Sequence, residues 1–338
     1  MRVGVPQGLY FWLHAPLWVT FLRDLGVEPV ISRATTRATL DAGIRLAVEE
    51  ACLPVKVFFG HCAELAVGTE ALFVPRVVSV EPRAYICPKF MGLPDMVRHS
   101  LGRQVAVLSP VVDLRKGGTG WPGAAREVAR ALGIGRHRAE EALAHGLQVQ
   151  RRAEQRCEGG EHLPAVLAEL GLLPPDAERA RDSLAADRST GTADSRRLGV
   201  LGHSYNIYDR QVSLDLIRRL EKAGWSVQTV ETVPAARCEE EARQLSKELF
   251  WTLGRRQYGA AAHLSGPGGV AGLIYLGSFG CGPDSLVGEL VAQLMERRGV
   301  PFLRLTMDEH TGEAGAWTRV EAFLDMIERR EGKRRRPS

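Results

Sequence analysis

The chain has 338 residues, 45% apolar and 25% charged, with a formal net charge of +4, which is enough apolar material for the cores of two ordinary domains. The mild charge is concentrated in Lys333-Arg334-Arg335-Arg336 and is not interleaved with aromatic residues, which argues against a nucleic-acid binder. No apolar stretch reaches membrane-spanning length free of charge, and no basic leader with an apolar core is present, so a cytoplasmic protein is expected.

Alternating strand and helix signals open the chain. Residues 3–6 read as a short strand, 16–25 as a helix closed by Gly26, and 28–31 as a second strand. Helices over 41–50 and 54–65 and a buried strand over 71–80 follow, and a strand over 104–112 lies beyond a loop carrying Cys87. Residues 136–171 form a long helical pattern rich in Ala, Glu, Arg and Leu, broken near Glu158-Gly159-Gly160. Residues 174–193 hold too few bulky apolar side chains to order themselves and read as a linker. The alternation then restarts, with strands over 197–201, 226–232, 272–276 and 301–306 and helices over 213–223, 285–298 and 317–329. The expectation is an α/β fold of two Rossmann-like, doubly wound and mostly parallel sheets. The N-terminal domain spans 1–172, a flexible linker 173–196, the C-terminal domain 197–330 and a basic tail 331–338.

Six cysteines lie far apart in unlike settings, which does not suit a dense disulfide framework and leaves free thiols or metal ligands. Three of them share one setting. Cys52 in Glu50-Ala51-Cys52-Leu53-Pro54, Cys87 in Ile86-Cys87-Pro88-Lys89 and Cys281 in Phe279-Gly280-Cys281-Gly282-Pro283-Asp284 each stand where an apolar run gives way to a turn. In open α/β sheets such loops meet at the carboxyl ends of the strands, here in the cleft between domains. Three converging thiolates hold a soft metal centre with one position open. On the residues alone, ligands and buried structural thiols are equally good readings. Cys62 is either a further ligand or a core-facing thiol, and Cys157 and Cys238, set among charged residues, are expected on exposed helix surfaces.

Longer runs carry a resemblance. Gly4-Val5-Pro6-Gln7-Gly8-Leu9 with Pro16-Leu17-Trp18, Cys52-Leu53-Pro54-Val55-Lys56 with Gly60-His61, Cys87-Pro88, and Ser278-Phe279-Gly280-Cys281-Gly282-Pro283-Asp284-Ser285 all belong to it. So does Asp308-Glu309-His310-Thr311-Gly312-Glu313-Ala314-Gly315 with Thr318-Arg319 and Glu321-Ala322-Phe323. Together they resemble the stand-alone uncharacterised domain related to 2-hydroxyacyl-CoA dehydratases and benzoyl-CoA reductases, the acyl-CoA dehydratase activase-related proteins. The resemblance covers most of both halves. It implies an oxygen-sensitive 4Fe–4S cluster held by Cys52, Cys87 and Cys281, with the fourth iron open, in low-potential electron transfer or reductive chemistry. It also implies an ATP-dependent activator with its own cluster as partner, a small or acyl-CoA ligand, and a pairing of similar subunits, here a homodimer. The chain has no GxxxxGKS/T loop, so the partner would supply any ATP chemistry. The alternative is a non-catalytic carrier or electron-relay subunit that docks to such an ATPase.

Candidate groups around the thiols are Lys56, one helical turn from Cys52, with His61, Tyr85, Lys89 and Asp284. Gly202-His203-Ser204-Tyr205, just after the strand at 197–201, is a candidate anion-binding loop. His310, Glu309, Glu313 and Arg319 are expected to form a polar network, more structural than chemical. Tyr10, Phe11, Trp12 and Trp18, with Phe250-Trp251, read as packing. No GxSxG, HExxH or strand-following GxGxxG is present, which argues against hydrolase, zincin and nicotinamide chemistry.

Overall fold

The computed structural model describes residues 1–115, 120–174 and 196–334. The linker expected at 173–196 lies almost wholly outside the described residues, as does the basic tail from residue 335 on, while residues 331–334 close the last helix. About half of the chain is helical, and every strand pairing among the described residues is parallel.

One four-stranded sheet is built from β1 (Arg2–Val5), β2 (Glu28–Ile31), β3 (Ala71–Phe73) and β5 (Ala106–Leu108) in the order β2-β1-β3-β5. A second joins β7 (Arg197–Gly202), β8 (Ser226–Gln228), β9 (Gly272–Ser278) and β10 (Phe302–Met307) in the order β8-β7-β9-β10. Both sheets therefore run second, first, third, fourth. In each the winding reverses between its first and third strands, where open parallel sheets leave a crevice at their carboxyl edge. The central strand β9 is buried on both faces, as its unbroken apolar run requires. Pro29 sits in β2, an edge strand, where its missing N–H costs no ladder bond on the open side.

Two long strands expected from sequence are each cut in two by a proline. Residues 71–80 give β3 and then β4 (Arg76–Val77), and 104–112 give β5 and then β6 (Val111–Val112). Pro75 and Pro110 interrupt the two neighbours at matching places, and β4 pairs β6 in a small separate sheet.

The first half carries α1 (Phe11–Asp24), α2 (Arg37–Leu46), α3 (Leu53–Ala66), α4 (Pro88–Leu101), α5 (Gly120–Ala131), α6 (Arg136–Glu158) and α7 (Leu163–Glu169). The second carries α8 (Ser204–Ile207), α9 (Leu216–Lys222), α10 (Ala235–Ala242), α11 (Thr252–Leu264), α12 (Gly282–Arg298) and α13 (Glu313–Arg334). The helix expected at 41–50 begins earlier because Thr36 and Thr39 form a reciprocal cap. The break expected near Glu158-Gly159-Gly160 separates α6 from α7. Helices α4, α5, α8, α10 and α11 are additions to the sequence reading. The larger apolar core takes side chains from both sheets, and a second core lies under α10, α11 and α12. No helix among the described residues is long and apolar enough to cross a membrane.

Candidate functional site

In a parallel α/β layer each crossover helix runs back against the strands, so its N-terminus stands at the carboxyl edge of the sheet. Three such N-termini carry the singled-out cysteines. Cys52 is the N-cap of α3, Cys87 of α4 and Cys281 of α12, and each is followed by proline at the first or second helical position. Proline suits those positions because its missing N–H would have had no intrahelical acceptor. Gly280 adopts a left-handed φ of +75°, and a Cβ there would lie 3.8 Å from the Cys52 Cα. Glycine thus lets the Cys281 turn lie against the Cys52 turn.

The thiols act on one another electrostatically. Burial pushes Cys52 up to about 11, with Lys89 pulling it down and Cys87 and Asp284 pushing it further. Cys281 is raised by burial, then by Asp284, Cys52 and Cys87. Burial also raises Cys87, the least buried of the three, against the pull of Lys89. First-turn amides of Val55, Lys89 and Asp284 favour the three thiolates, although none completes a capping hydrogen bond. Tyr205 stands among all of these groups. Burial raises its phenol well above the ordinary value, and Cys281, Asp284, Cys52 and Cys87 each raise it further.

Behind Tyr205 lies a closed polar network. The His203 ring stacks on Tyr205 with centroids 4.8 Å apart. Its Nδ1 accepts from the Gln257 amide at 2.8 Å, which leaves Nε2–H to donate to Asp284 at 3.0 Å. Asp284 also accepts from the Ser278 backbone N–H at 3.2 Å and from the Tyr275 hydroxyl, which is shared with Gln257. Burial works to raise the Asp284 carboxyl, but His203 and these donors hold it below the usual carboxylate range. Ligand atoms of His203, Cys281 and Asp284 lie within 4.8 Å of one another. Both ring nitrogens of His203 are already committed, however, so this trio offers a metal ion little beyond the thiol and part of a carboxylate. The donor set with unspent capacity is the three thiols, and the Ser278 hydroxyl is buried without a partner among the described residues, in the same turn as Cys281.

Other expected site residues have different surroundings. Lys56 is buried and its ammonium pairs with Glu309, so the cation beside the thiols is Lys89, whose Nζ also donates to the Glu50 carbonyl at 3.1 Å. His61 is fully buried and donates to the Thr35 hydroxyl at 2.9 Å, which in turn donates to the buried Asp209. Ser204 donates to Glu231 rather than offering a free anion loop. Tyr85 is partly exposed and accepts from Arg115 at 3.1 Å. Cys62 is a core thiol, and its pKa is raised by burial alone. Cys157 and Cys238 are corrections. Despite their charged sequence neighbours they are 3% and 1% exposed, because each occupies the one face of its helix that turns inward. The groups expected to form a network around His310 take separate partners instead. Glu309 pairs with Lys56, Glu313 with Arg219, Arg319 donates to the Arg304 carbonyl, and His310 is exposed. Sequence reading missed Gln257 and Tyr275. The only local signal was a tyrosine inside the otherwise apolar strand Gly272–Ser278.

A family model described as CoA enzyme activase uncharacterised domain matches residues 2–233 of the 338. The chain belongs to that family. Cys52, Cys87 and His203 lie inside the matched part, whereas Cys281 and Asp284 lie beyond it. No curated protein matches the chain. A solved structure, the crystal structure of ZnuA, is similar at 10% identity over 97% of this chain and 98% of that chain, with a TM-score of 0.26. So low a score carries no argument.

Proposed function

We propose that this member of the activase-related family is a 4Fe–4S protein whose cluster is held by Cys52, Cys87 and Cys281 between two Rossmann-like domains. It would work in low-potential electron transfer or reductive chemistry on a small or acyl-CoA substrate, as a cytoplasmic homodimer served by an ATP-dependent activator. The observation that supports this most is the meeting of three helix N-caps, each a cysteine, around one tyrosine. A bound cluster supplies one-electron chemistry and, with three thiolate ligands, an iron that a fourth ligand can reach.

The residues suit such a group. Burial keeps the three thiols protonated at neutral pH, so thiolates form there only when a cation repays the loss of their protons. Three positive helix ends and the Lys89 ammonium offset the remaining negative charge. The Tyr205 phenol, kept protonated, is a hydrogen-bond donor among the thiols. His203 stacks on Tyr205 from behind and is itself held by Asp284 and Gln257.

A relay role has its own support. Val48, Tyr85, Phe279 and Leu286 are exposed apolar side chains that flank the three cysteine turns, and exposed Phe250 packs edge-on against Tyr85 at 6.2 Å. Such a patch around a redox centre fits a docking partner protein.

Protein purified without oxygen should carry about four irons and four sulfides per chain and absorb broadly near ~400 nm. Cys281→Ser should lose most of the iron, and Cys238→Ser should keep it. Colourless, iron-free wild-type protein would refute the reading, and equal iron loss in both variants would refute the ligand assignment.

A further inference from the structure

The kink in α1 borders a cavity that none of Cys52, Cys87 and Cys281 lines. His14 leaves helical geometry and Pro16 removes a donor, so the helix ladder is broken there. Gln150 of α6 repairs the gap. Its amide donates to the Leu13 carbonyl at 2.9 Å, and its Oε1 accepts from the Leu17 N–H at 3.3 Å. Beside this repair lies a cavity of about 340 Å³, walled on one side by His203 and Gln257.

The cavity wall holds more hydrogen-bond donors than it uses. Tyr10 Oη, Trp12 Nε1, Thr252 Oγ1 and Arg256 Nε, four donors, and the single ring nitrogen His14 Nδ1 are buried and have no partner among the described residues. Tyr10, Trp12 and Thr252 are 4%, 5% and 1% exposed. Three carboxylates also line the space, but each is already supplied with donors. Glu154 accepts from Gln150 at 3.0 Å, Glu158 from the Ala235 N–H at 3.1 Å, and Glu231 from Tyr208 at 3.0 Å and from Ser204. Arg256 donates through Nη2 to Glu81 at 2.9 Å, which fixes the guanidinium and leaves Nε unspent. Its charge reaches inward, since burial and then Arg256 lower His14 to about 3 and so keep that ring neutral. Tyr10 and Trp121 pack edge-on against His14 at 4.5 and 5.1 Å and give the cavity an aromatic wall. A buried donor without an acceptor costs free energy, and a bound acceptor removes that cost.

We propose that this cavity binds a small monocarboxylate with a flat or short apolar body, its carboxylate received by Arg256 Nε and the Tyr10 hydroxyl. The charge-assisted bonds fix one end, and the aromatic wall takes the other. The site meets the thiol site through His203, Gln257 and Ile86, the residue before Cys87, and does not need a cluster.

Calorimetric titration of the full-length protein with phenylacetate and hexanoate, against 2-phenylethanol and hexanol, tests it. The carboxylates should saturate with dissociation constants below about 1 mM, and the alcohols should bind at least about tenfold more weakly. Tyr10→Phe, which removes only the hydroxyl, should weaken phenylacetate about tenfold, and Arg256→Gln about a hundredfold. Equal affinity for alcohol and acid, unchanged affinity in Tyr10→Phe, or no carboxylate binding at about 10 mM would each overturn the proposal. Running the titration with iron-loaded and iron-free protein keeps this result separate from the cluster reading.

Discussion

Asp284 holds a buried carboxylate against His203, Tyr275 and the Ser278 backbone, and its charge is matched by that geometry. Asp284→Asn keeps the shape but turns an amide N–H toward donors that already point inward. The expected loss is about 3 kcal/mol, measured by denaturant unfolding at neutral pH. The pH dependence has a definite sign. The folded carboxyl sits below its unfolded value, so its contribution is complete above about 3.9 and is lost as pH falls through the lower folded value. Asp284→Asn should therefore flatten the stability curve at its acid end. His61 acts in a higher window. Burial lowers it from 6.5 to about 4, so neutral His61 contributes above 6.5, and that contribution is lost as pH falls from 6.5 through 4. The size is at most roughly 3 kcal/mol. His61→Gln retains a donor for Thr35 and should remove this slope. An unchanged slope in the variant would assign the acid sensitivity to other groups, among them His14.

Helices α2 and α3 cross at two glycines, and Cys52 caps α3. A Cβ on Gly43 would lie 1.8 Å from the Lys56 carbonyl oxygen, and one on Gly60 would lie 1.9 Å from that of Thr39. Gly60→Ala gains up to about 1 kcal/mol of helix propensity but must push two backbones apart, so a net loss of about 2 kcal/mol or more is expected. In α4, a Cβ on Gly92 would meet only the Met96 sulfur at 3.9 Å, and Gly92→Ala should be neutral or slightly stabilising. Thermal melts of the two variants should move in opposite directions or differ by several degrees. The same crossing shows what a sequence can tell. Helix α3 was legible because its apolar run follows a proline start, and the three thiol turns were legible from their Pro and Gly neighbours. Helix α4 was not, since Gly92 and Pro94 interrupt its pattern, and α11 has small residues where an apolar stripe would give it away. The His203–Gln257–Asp284 network was illegible for another reason. It joins a loop, a helix and the start of a second helix far apart in sequence, and no local pattern couples them.

At the scale of the molecule, a few polar contacts tie the first half of the chain to the second. Thr35 meets Asp209, Glu81 meets Arg255 and Arg256, and Lys56 meets Glu309 in the loop after β10. The last pair is asymmetric in burial, with side-chain exposures of 5% for Lys56 and 17% for Glu309. Burial works to raise the Glu309 carboxyl, and Lys56 holds it below the usual range. Glu309→Gln strands an ammonium that water cannot reach and should cost about 3 kcal/mol or more. Lys56→Met fills the same space and leaves a carboxylate that can rehydrate, so about 1 kcal/mol is expected. Lys56→Met with Glu309→Leu should lie closer to wild type than Glu309→Gln does, because neither partner is left charged and dry. A denaturant double-mutant cycle gives all of these values, and equal losses in the two single variants would show that the Lys56 ammonium is not trapped. The pair also bears on the thiols, because Lys56 lies one turn inside the helix that Cys52 caps. If the contact holds α3 against the second half, Glu309→Gln should speed labelling of Cys52 by a thiol reagent in iron-free protein, while Cys62, deep in the core, should label no faster. Unchanged Cys52 labelling would confine the pair to stability alone.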